Sequence, residues 1–418
     1  MMMRRLSKIV FILFVPLLVS AAPSGWTQWH GSAFNGVSDE KGLPDQWGAG
    51  TNIKWTADMP GISAATPIIC DGRVYVSAYE KETSNLWALC YSSADGKDLW
   101  RQSVAAGMNP KNPNSIAASS SVAEPGRVIF TFSTGDMAAF DSDGKRLWKC
   151  NLVQTYGELG CKFGYSSSPV LRDGKLFVQM LRDTSNPSLL VCLDAASGKE
   201  LWKVERVTSA KEENKDSYST PCIFSDAART LLIVAGGDYI TAHDLVDGRE
   251  IWRSECYAVA DGKNINRLIA SPAICGDSVV APVNRGMLLV AAKIGSPGWA
   301  WTLPKAASDV SSPLCYKGNV YVIDGAKRAI FCLDSKTGTL LNTIKLPGKK
   351  AYYASPTVAD GKIYAMTLAG DVVVLKADQS MELIRHIEMG DDSLGSSIAI
   401  ANGCLFLRAN KKLYCIGK

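Results

Sequence analysis

The sequence predicts an all-β fold, an eight-bladed β-propeller built from four-stranded antiparallel blades. Two short motifs predict it, because small residues followed by Pro and a Gly-containing turn leading to Trp both recur along the chain. The motifs repeat every 41 to 55 residues or so, which is roughly the length of one propeller blade. The final copy is one strand short, and a strand-like run near the N-terminus can supply that strand.

Residues 165–204 show one complete repeat, with the strand-like runs SSPVL, KLFVQML, LLVCLD and ELWKV. Asp173-Gly174 joins the first two runs, and such a dipeptide takes the positive φ angles of a tight hairpin at little cost. A second Gly-bearing turn, residues 195–199, joins the last two. A four-stranded meander of this size cannot bury its own faces, so it needs similar neighbours on both sides.

The first motif marks the entry to each blade. Six copies have Pro: 65–67, 167–169, 219–221, 270–272, 311–313 and 354–356. Two degenerate copies, Ser120-Ser121-Val122 and Ser396-Ser397-Ile398, bring the count to eight. Small hydroxyl residues suit a crowded innermost strand, and Pro suits a strand start that has no ladder partner.

The second motif marks the outer strand of a blade and ends in Trp. We expect these rings to fill the gaps between adjacent twisted sheets, which is a structural role and not a ligand-binding one. The tryptophans are Trp55, Trp100, Trp148, Trp202, Trp252 and Trp301. Asn342 and Ile384 take the place of Trp in the sixth and seventh repeats.

The eighth repeat, from Leu394 to Lys418, supplies three strands. The run Ile53-Lys54-Trp55 is predicted to complete it, which closes the ring and removes free sheet edges between the chain ends. A linear array of sheets is the alternative, and it would leave both ends unpaired.

Three segments follow from this pattern. Residues 1–21 are predicted to be a cleaved signal peptide, with a basic start, an apolar run and a small-residue cleavage site. Residues 22–50 form an extension that we expect to pack on the main body, since it contains Trp26, Trp29 and Trp47. Residues 51–418 form the single propeller. No Cys lies near the cleavage site, so we expect no lipid anchor, and a signal anchor is the alternative.

Composition excludes some partners. The formal net charge of +5 over 418 residues falls close to neutral once Arg4, Arg5 and Lys8 are removed with the signal peptide. Nothing in this balance favours nucleic acid or an anionic membrane surface. After the signal no stretch approaches membrane-spanning length. We expect a periplasmic or secreted protein, soluble and monomeric.

The turn motif also carries a family resemblance. The run from Leu193 to Trp202, LDAASGKELW, resembles the repeat of the pyrroloquinoline quinone (PQQ)-type propellers, and Leu333 to Gly338 is a second copy. The resemblance covers roughly residues 50–418. It implies either a quinoprotein dehydrogenase, which holds PQQ and calcium on the propeller axis, or a non-enzyme, a group that includes the outer-membrane assembly factor BamB.

Several features favour the non-enzyme. The chain has no vicinal Cys pair and no Cys-x-x-Cys-His haem signature, both of which occur among the quinoprotein enzymes. No calcium ligand or catalytic Asp can be carried over position by position. We therefore expect no cofactor, and a non-catalytic scaffold that binds envelope proteins or a small polar ligand. The alternatives are a PQQ- and calcium-dependent oxidoreductase of alcohols or sugars, and a carbohydrate-binding propeller.

A binding site is expected at the mouth of the central funnel, because the long loops of the repeats gather on one face. Residues just before the entry motifs should ring this mouth. The candidates are Lys162, Tyr165, Tyr218, Arg267, Asp309 and Tyr352.

The twelve cysteines and three histidines suggest no metal site. Cys90, Cys192 and Cys332 share one third-strand position and are predicted to be core residues. Two disulfides are open alternatives in an exported chain, Cys150 with Cys161 and Cys404 with Cys415.

Overall fold

The computed structural model describes residues 25–106, 116–255, 268–305 and 308–418. Its strands form eight sheets, each a four-stranded antiparallel meander, and one of them carries a fifth strand from the N-terminal extension. The predicted all-β, eight-bladed propeller is confirmed. The predicted signal peptide lies outside the described residues.

The first four blades use strands β3 to β18. Blade 1 is β3–β6 (Ile68–Cys70, Arg73–Glu80, Asn85–Ser92, Asp98–Ala105), and blade 2 is β7–β10 (Val122–Glu124, Arg127–Thr131, Asp136–Asp141, Arg146–Asn151). Blade 3 is β11–β14 (Val170–Arg172, Lys175–Met180, Leu189–Asp194, Glu200–Glu205), and blade 4 is β15–β18 (Cys222–Ser225, Thr230–Gly236, Tyr239–Asp244, Glu250–Glu255).

The remaining blades use β19 to β33. Blade 5 is β19–β22 (Ala273–Cys275, Ser278–Val283, Leu288–Lys293, Trp301–Pro304), and blade 6 is β23–β26 (Leu314–Tyr316, Asn319–Asp324, Ala329–Asp334, Leu340–Lys345). Blade 7 is β27–β30 (Thr357–Ala359, Lys362–Met366, Val372–Lys376, Leu383–Ile387), and blade 8 begins with β31–β33 (Ala399–Ala401, Cys404–Arg408, Lys412–Gly417). The short helical segments among the described residues are α1 (Leu152–Tyr156) and two 3-10 turns, Glu212–Lys215 and Asn284–Gly286.

Blade 8 is completed from the N-terminal side. Strand β2 (Ile53–Asp58) pairs antiparallel with β33, and Trp55 lies opposite Cys415. The predicted closure by strands from both chain ends is therefore confirmed. Among the described residues no helix combines the length and the apolar character that a membrane span requires.

The tryptophan rings lie between neighbouring blades. Each indole Nε1 donates to a carbonyl oxygen in the outer turn of the next blade, over 2.7–3.3 Å: Trp55 to Ser93, Trp100 to Ser142, Trp148 to Ala195, Trp202 to Leu245, Trp252 to Ser296 and Trp301 to Ser335. In blade 6, the Asn342 side chain makes the corresponding contact with the carbonyl of Ser380 in blade 7, at 3.0 Å. Among the described residues, seven of the eight blade junctions are thus tied by a side-chain bond of this kind, and the exception is the junction of blades 7 and 8, where Ile384 takes the place of Trp.

The cysteines behave in two ways. Cys90, Cys192 and Cys332 lie opposite Trp100, Trp202 and Asn342 and are fully buried, which confirms the predicted core position. A disulfide joins Cys275 of β19 to Cys315 of β23 and so links blades 5 and 6. Cys150, Cys161, Cys404 and Cys415 are free thiols, so neither sequence-based pairing is present.

The predicted entry motif of blade 2, Ser120-Ser121-Val122, is wrong by one residue. Val122 begins β7 as Ile68 begins β3, so Ser121 stands where the other blades have Pro. The entry motif of blade 2 is therefore Ser119-Ser120-Ser121, and Ser120 is the counterpart of Thr66. The error arose because three consecutive Ser residues give no internal register.

Candidate functional site

The propeller axis holds a cavity of about 160 Å3. Two positions of every blade line this cavity. The ring position is the residue immediately before the motif Pro or the residue that replaces it. The rim position lies two residues before the ring position. The chain is extended here, so alternate residues face the axis. The rim residues are Ala64, Ala118, Ser166, Tyr218, Ile269, Val310, Tyr353 and Gly395.

Every ring position carries a hydroxyl: Thr66, Ser120, Ser168, Thr220, Ser271, Ser312, Ser355 and Ser397. Seven of these hydroxyls accept a bond from the backbone N–H of the ring residue one blade earlier, over 2.8–3.1 Å. Consecutive blades are therefore joined around the axis by side-chain-to-backbone bonds. We call these eight residues the hydroxyl ring.

The N-terminal extension crosses the axis at the other end of the innermost strands. Its strand β1 (Gly25–Trp26) pairs with β3, and Val37 forms a parallel bridge with Val358 of β27. Between them, the Gln28 side chain accepts a bond from the Leu171 N–H of blade 3 at 3.1 Å. Trp29, stacked on His30 with ring centroids 3.6 Å apart, lines the axial cavity. The extension thus forms the floor beneath the hydroxyl ring.

Of the sequence-predicted mouth residues, Tyr218 lines the axial cavity. Tyr165 and Tyr352 do not, because they lie one residue before the rim position and their side chains turn into the blades. Their hydroxyls donate to backbone carbonyls, Tyr165 to Gln179 at 2.9 Å and Tyr352 to Pro347 at 2.7 Å. Both side chains are buried core residues.

Lys162 belongs to a network that joins blades 3 and 4 beside the mouth. Its N–H donates to Asp216 at 3.2 Å and its Nζ lies 3.3 Å from Glu213. The Asp216 carboxylate also accepts the Asp183 N–H at 2.8 Å. Burial raises the pKa of Asp216, although these backbone bonds favour its charged form. The network has a structural role in holding two loops together.

The two remaining predicted mouth residues are Asp309 and Arg267. Asp309 is partly buried and, like Tyr165, lies one residue before the rim position, outside the cavity lining. Arg267 lies outside the described residues. Neither contributes to the described geometry of the axial cavity.

Sequence reasoning found Tyr218 but missed the other side chains that line the cavity. The hydroxyl ring was noticed as a repeated Ser or Thr but was explained by size alone. The signal that could have identified it is the two-residue alternation of the extended chain, which puts the residue before Pro on the axis. Trp29 could not be placed, because no repeat relates it to a blade.

The mouth face also carries exposed apolar side chains. Phe163 is 44% exposed, Val207 61%, Met287 53% and Tyr353 41%. Val207 borders a groove of about 490 Å3 between blades 3 and 4, which Arg182, Thr184 and Lys215 also line. We call Phe163, Val207, Met287 and Tyr353 the mouth patch. Val246, 73% exposed, lies in an outer turn on the opposite face.

The cavity lining does not fit PQQ with calcium. PQQ carries three carboxylates and calcium prefers several carboxylate or carbonyl oxygens. The described residues that line the axial cavity include no Lys, Arg, Asp or Glu. Within the described part of the chain, no group of three or more His, Cys, Asp and Glu could hold a metal ion. We derive no reaction step through PQQ.

Comparisons with known proteins agree with the architecture. A family model described as "Outer membrane protein assembly factor BamB" matches residues 47–179, 133–305 and 187–416. A polyvinylalcohol dehydrogenase from a Pseudomonas species is 24% identical over 214 residues, 47% of this chain and 31% of that protein. This chain therefore matches about a third of that relative's length.

Solved structures share the fold. BamB from Moraxella catarrhalis superposes with a TM-score of 0.62 at 13% identity, covering 86% of this chain and 98% of that one. A europium-containing methanol dehydrogenase gives 0.69 at 12%, covering 93% and 90%. A quinohemoprotein alcohol dehydrogenase from Comamonas testosteroni gives 0.66 at 12%, covering 96% and 82%. At these identities the likeness concerns the fold alone.

Proposed function

Since the chain belongs to the PQQ-like β-propeller family of the BamB model, we propose that it is an exported, non-catalytic scaffold that binds a partner protein in the cell envelope. The observation that carries the proposal is the mouth patch, in which Phe163, Val207, Met287 and Tyr353 are exposed on one face. Aromatic residues and Met are enriched in protein interfaces.

The surroundings of the patch suit a protein partner. Lys349 pairs with Glu388 and Lys350 with Asp392 on the same face, so charged side chains lie close in the chain to Tyr353. The groove beside Val207 has the volume to take a partner side chain, about 490 Å3, and such pockets are where binding energy concentrates. The axial lining without charged groups favours binding over redox chemistry.

The test is in vivo crosslinking followed by affinity purification, with wild type compared with Phe163→Asp and Val207→Asp. A carboxylate in an apolar contact is expected to abolish capture of the partner. Val246→Asp is the matched control, because it adds the same charge at an exposed apolar site on the opposite face. Equal capture by all four proteins, or capture of no partner by the wild type, would contradict the proposal.

The oxidoreductase alternative has its own test. Purified protein is mixed with PQQ and calcium, and quinone absorbance and dye reduction with alcohols are followed. We expect neither a stoichiometric complex nor turnover. Saturable one-to-one binding with turnover would replace the scaffold by an enzyme. Cell fractionation of the tagged full chain tests export, and retention in the cytoplasm would remove the envelope from the proposal.

A further inference from the structure

The hydroxyl ring has hydrogen-bond donors that the protein does not use. In Ser120, Ser168 and their five counterparts the oxygen accepts a backbone N–H, but none of these hydroxyls donates to a described residue. All are more than nine-tenths buried and all line the axial cavity. Each oxygen thus has the one partner that buried polar atoms normally require, while its O–H stays unused. Seven O–H groups are therefore available to a ligand on the axis.

Thr66 is the eighth member and stands apart. It is 2% exposed and lines the cavity, yet its hydroxyl forms no hydrogen bond with the described residues. The ring of N–H-to-hydroxyl bonds is open at this position, between blade 8 and blade 1. A hydroxyl that has no protein partner and lines a cavity takes a ligand or water as its partner.

The bonds from backbone N–H groups to the ring hydroxyls favour a ligand that accepts hydrogen bonds. An oxygen that accepts an N–H bond is polarised into a better O–H donor, because hydrogen bonds in a chain strengthen one another. The same N–H occupies one of the two lone pairs of each hydroxyl oxygen, which leaves less capacity for a cation. The ring thus presents converging donors and favours an acceptor, and charge-assisted bonds to an anion are stronger than neutral ones.

We propose that the hydroxyl ring binds a small oxyanion on the propeller axis, above Trp29. An oxyanion has several oxygens, so it can accept bonds from hydroxyls that surround it on different blades. A cavity of about 160 Å3 suits phosphate, sulfate or a single carboxylate group. The oxyanion can be an inorganic ion or the carboxylate of a larger ligand, and both accept hydrogen bonds in the same way.

The site does not depend on the scaffold function. The mouth patch concerns exposed loop residues, whereas the ring lies inside the cavity, and each can fail without the other. Loss of partner capture by Phe163→Asp would say nothing about the ring. Loss of oxyanion binding would leave the docking proposal unchanged.

The test measures binding directly, because sulfate also stabilises proteins by exclusion from their surface. Isothermal titration calorimetry of the full chain uses phosphate, sulfate, acetate, chloride and calcium at matched ionic strength. Crystals soaked in selenate locate the site by anomalous scattering. We expect selenate on the axis and saturable binding of phosphate or sulfate, with acetate binding if a carboxylate is the natural group.

Two variants test the donors. Thr66→Val keeps the side-chain shape and removes no hydrogen bond to the backbone of the described residues. It is expected to weaken oxyanion binding about tenfold, the effect of one bond to a charged acceptor. Ser312→Ala should weaken it similarly. Ser119→Ala is the control, since its hydroxyl donates to the Ser167 carbonyl at 3.0 Å and it is not part of the lining.

The outcomes separate clearly once folding is checked by circular dichroism. Unchanged affinity in both Thr66→Val and Ser312→Ala would overturn the proposal. So would selenate density away from the axis, the absence of binding for every anion, or tighter binding of calcium than of any oxyanion. A loss confined to the two ring variants, with Ser119→Ala like wild type, supports it.

Discussion

The Trp55 indole Nε1 donates to the Ser93 carbonyl oxygen at 3.0 Å, and this bond ties blade 8 to blade 1. Trp55 enters blade 8 from the N-terminal side of the chain, so the ring is closed both by strand pairing and by an inter-blade indole. Gly96, in the same turn as Ser93, lies against the ring face. A Cβ on Gly96 would be 2.5 Å from Trp55 Cε3.

Gly96→Ala should therefore destabilise the protein more than its backbone angle explains. Gly96 has φ +73° and Gly72 has φ +72°, but a Cβ on Gly72 would meet nothing within 4 Å. Gly72→Ala is the matched control and should cost about 1 kcal/mol from the left-handed conformation. We expect about 1–3 kcal/mol more for Gly96→Ala, from overpacking against the indole. Urea denaturation measures both, and equal losses would show that the turn yields without disturbing Trp55.

Arg182 is a buried cation that carbonyl oxygens satisfy. Its guanidinium donates to Pro187, Glu158 and Tyr156, each at 2.9 Å, with the side chain almost fully buried. Arg182→Met should cost about 2–5 kcal/mol, because several buried carbonyls lose their donors. Arg182→Lys should not restore the loss, since an ammonium cannot reproduce the planar fork.

Arg172→Met is the control for this pair of variants. The Arg172 side chain is partly exposed and pairs with Asp173 at the surface, so its loss should stay within about 0.5 kcal/mol. Thermal and chemical unfolding report the difference. A cost for Arg182→Met no larger than for Arg172→Met would mean that water replaces the lost donors.

Acid should destabilise the fold through buried histidines. Burial lowers the pKa of His243 to about 4 and that of His30 to about 3, from an ordinary value of 6.5. The unfolded chain then takes up protons first as pH falls. Stability from these groups is complete above about pH 6.5. It declines as the pH falls to about 4 for His243 and to about 3 for His30.

The measurement is the free energy of unfolding at several pH values. His243 bonds Gly248 through Nδ1 at 3.0 Å and Thr241 through Nε2 at 2.9 Å. The slope of the unfolding free energy against pH reports how many more protons the unfolded chain binds. His243→Gln should lower this number by up to one, despite some loss of stability at neutral pH. Arg206, Arg253 and Glu250 also act on this ring electrostatically. An unchanged slope in the variant would remove His243 from the account.

Reduction should loosen the contact between blades 5 and 6. The disulfide Cys275–Cys315 closes a loop of 40 residues, and the chain-entropy model gives such a bridge about 4 kcal/mol. A reductant should lower the melting temperature of the wild type. The double variant Cys275→Ser/Cys315→Ser should start lower and respond no further.

Cys150→Ser is the control for the disulfide, because Cys150 is a free thiol. It should keep the wild-type response to reductant. A reductant effect that persists in the double variant would place the sensitive bond elsewhere in the chain.

The fold could be predicted because a repeat amplifies a weak local signal. One Asp-Gly turn or one Trp says little, but their recurrence determines blade number, strand order and the composite last blade. The site was harder. Tyr165 and Tyr352 lie next to the rim position, and a shift of one residue in an extended chain turns a side chain from the axis into the core.

Sequence by itself determined the eight blades, their closure by the run Ile53-Lys54-Trp55 and the tryptophan positions, since these depend on local turn chemistry and on periodicity. Tertiary structure alone decided that Thr66 and its seven counterparts converge on one cavity, that Trp29 lies beneath them, and that Cys275 meets Cys315. The physical reason is that such contacts join residues of different blades. Their distances follow from how the sheets stack around the axis, which no single repeat encodes.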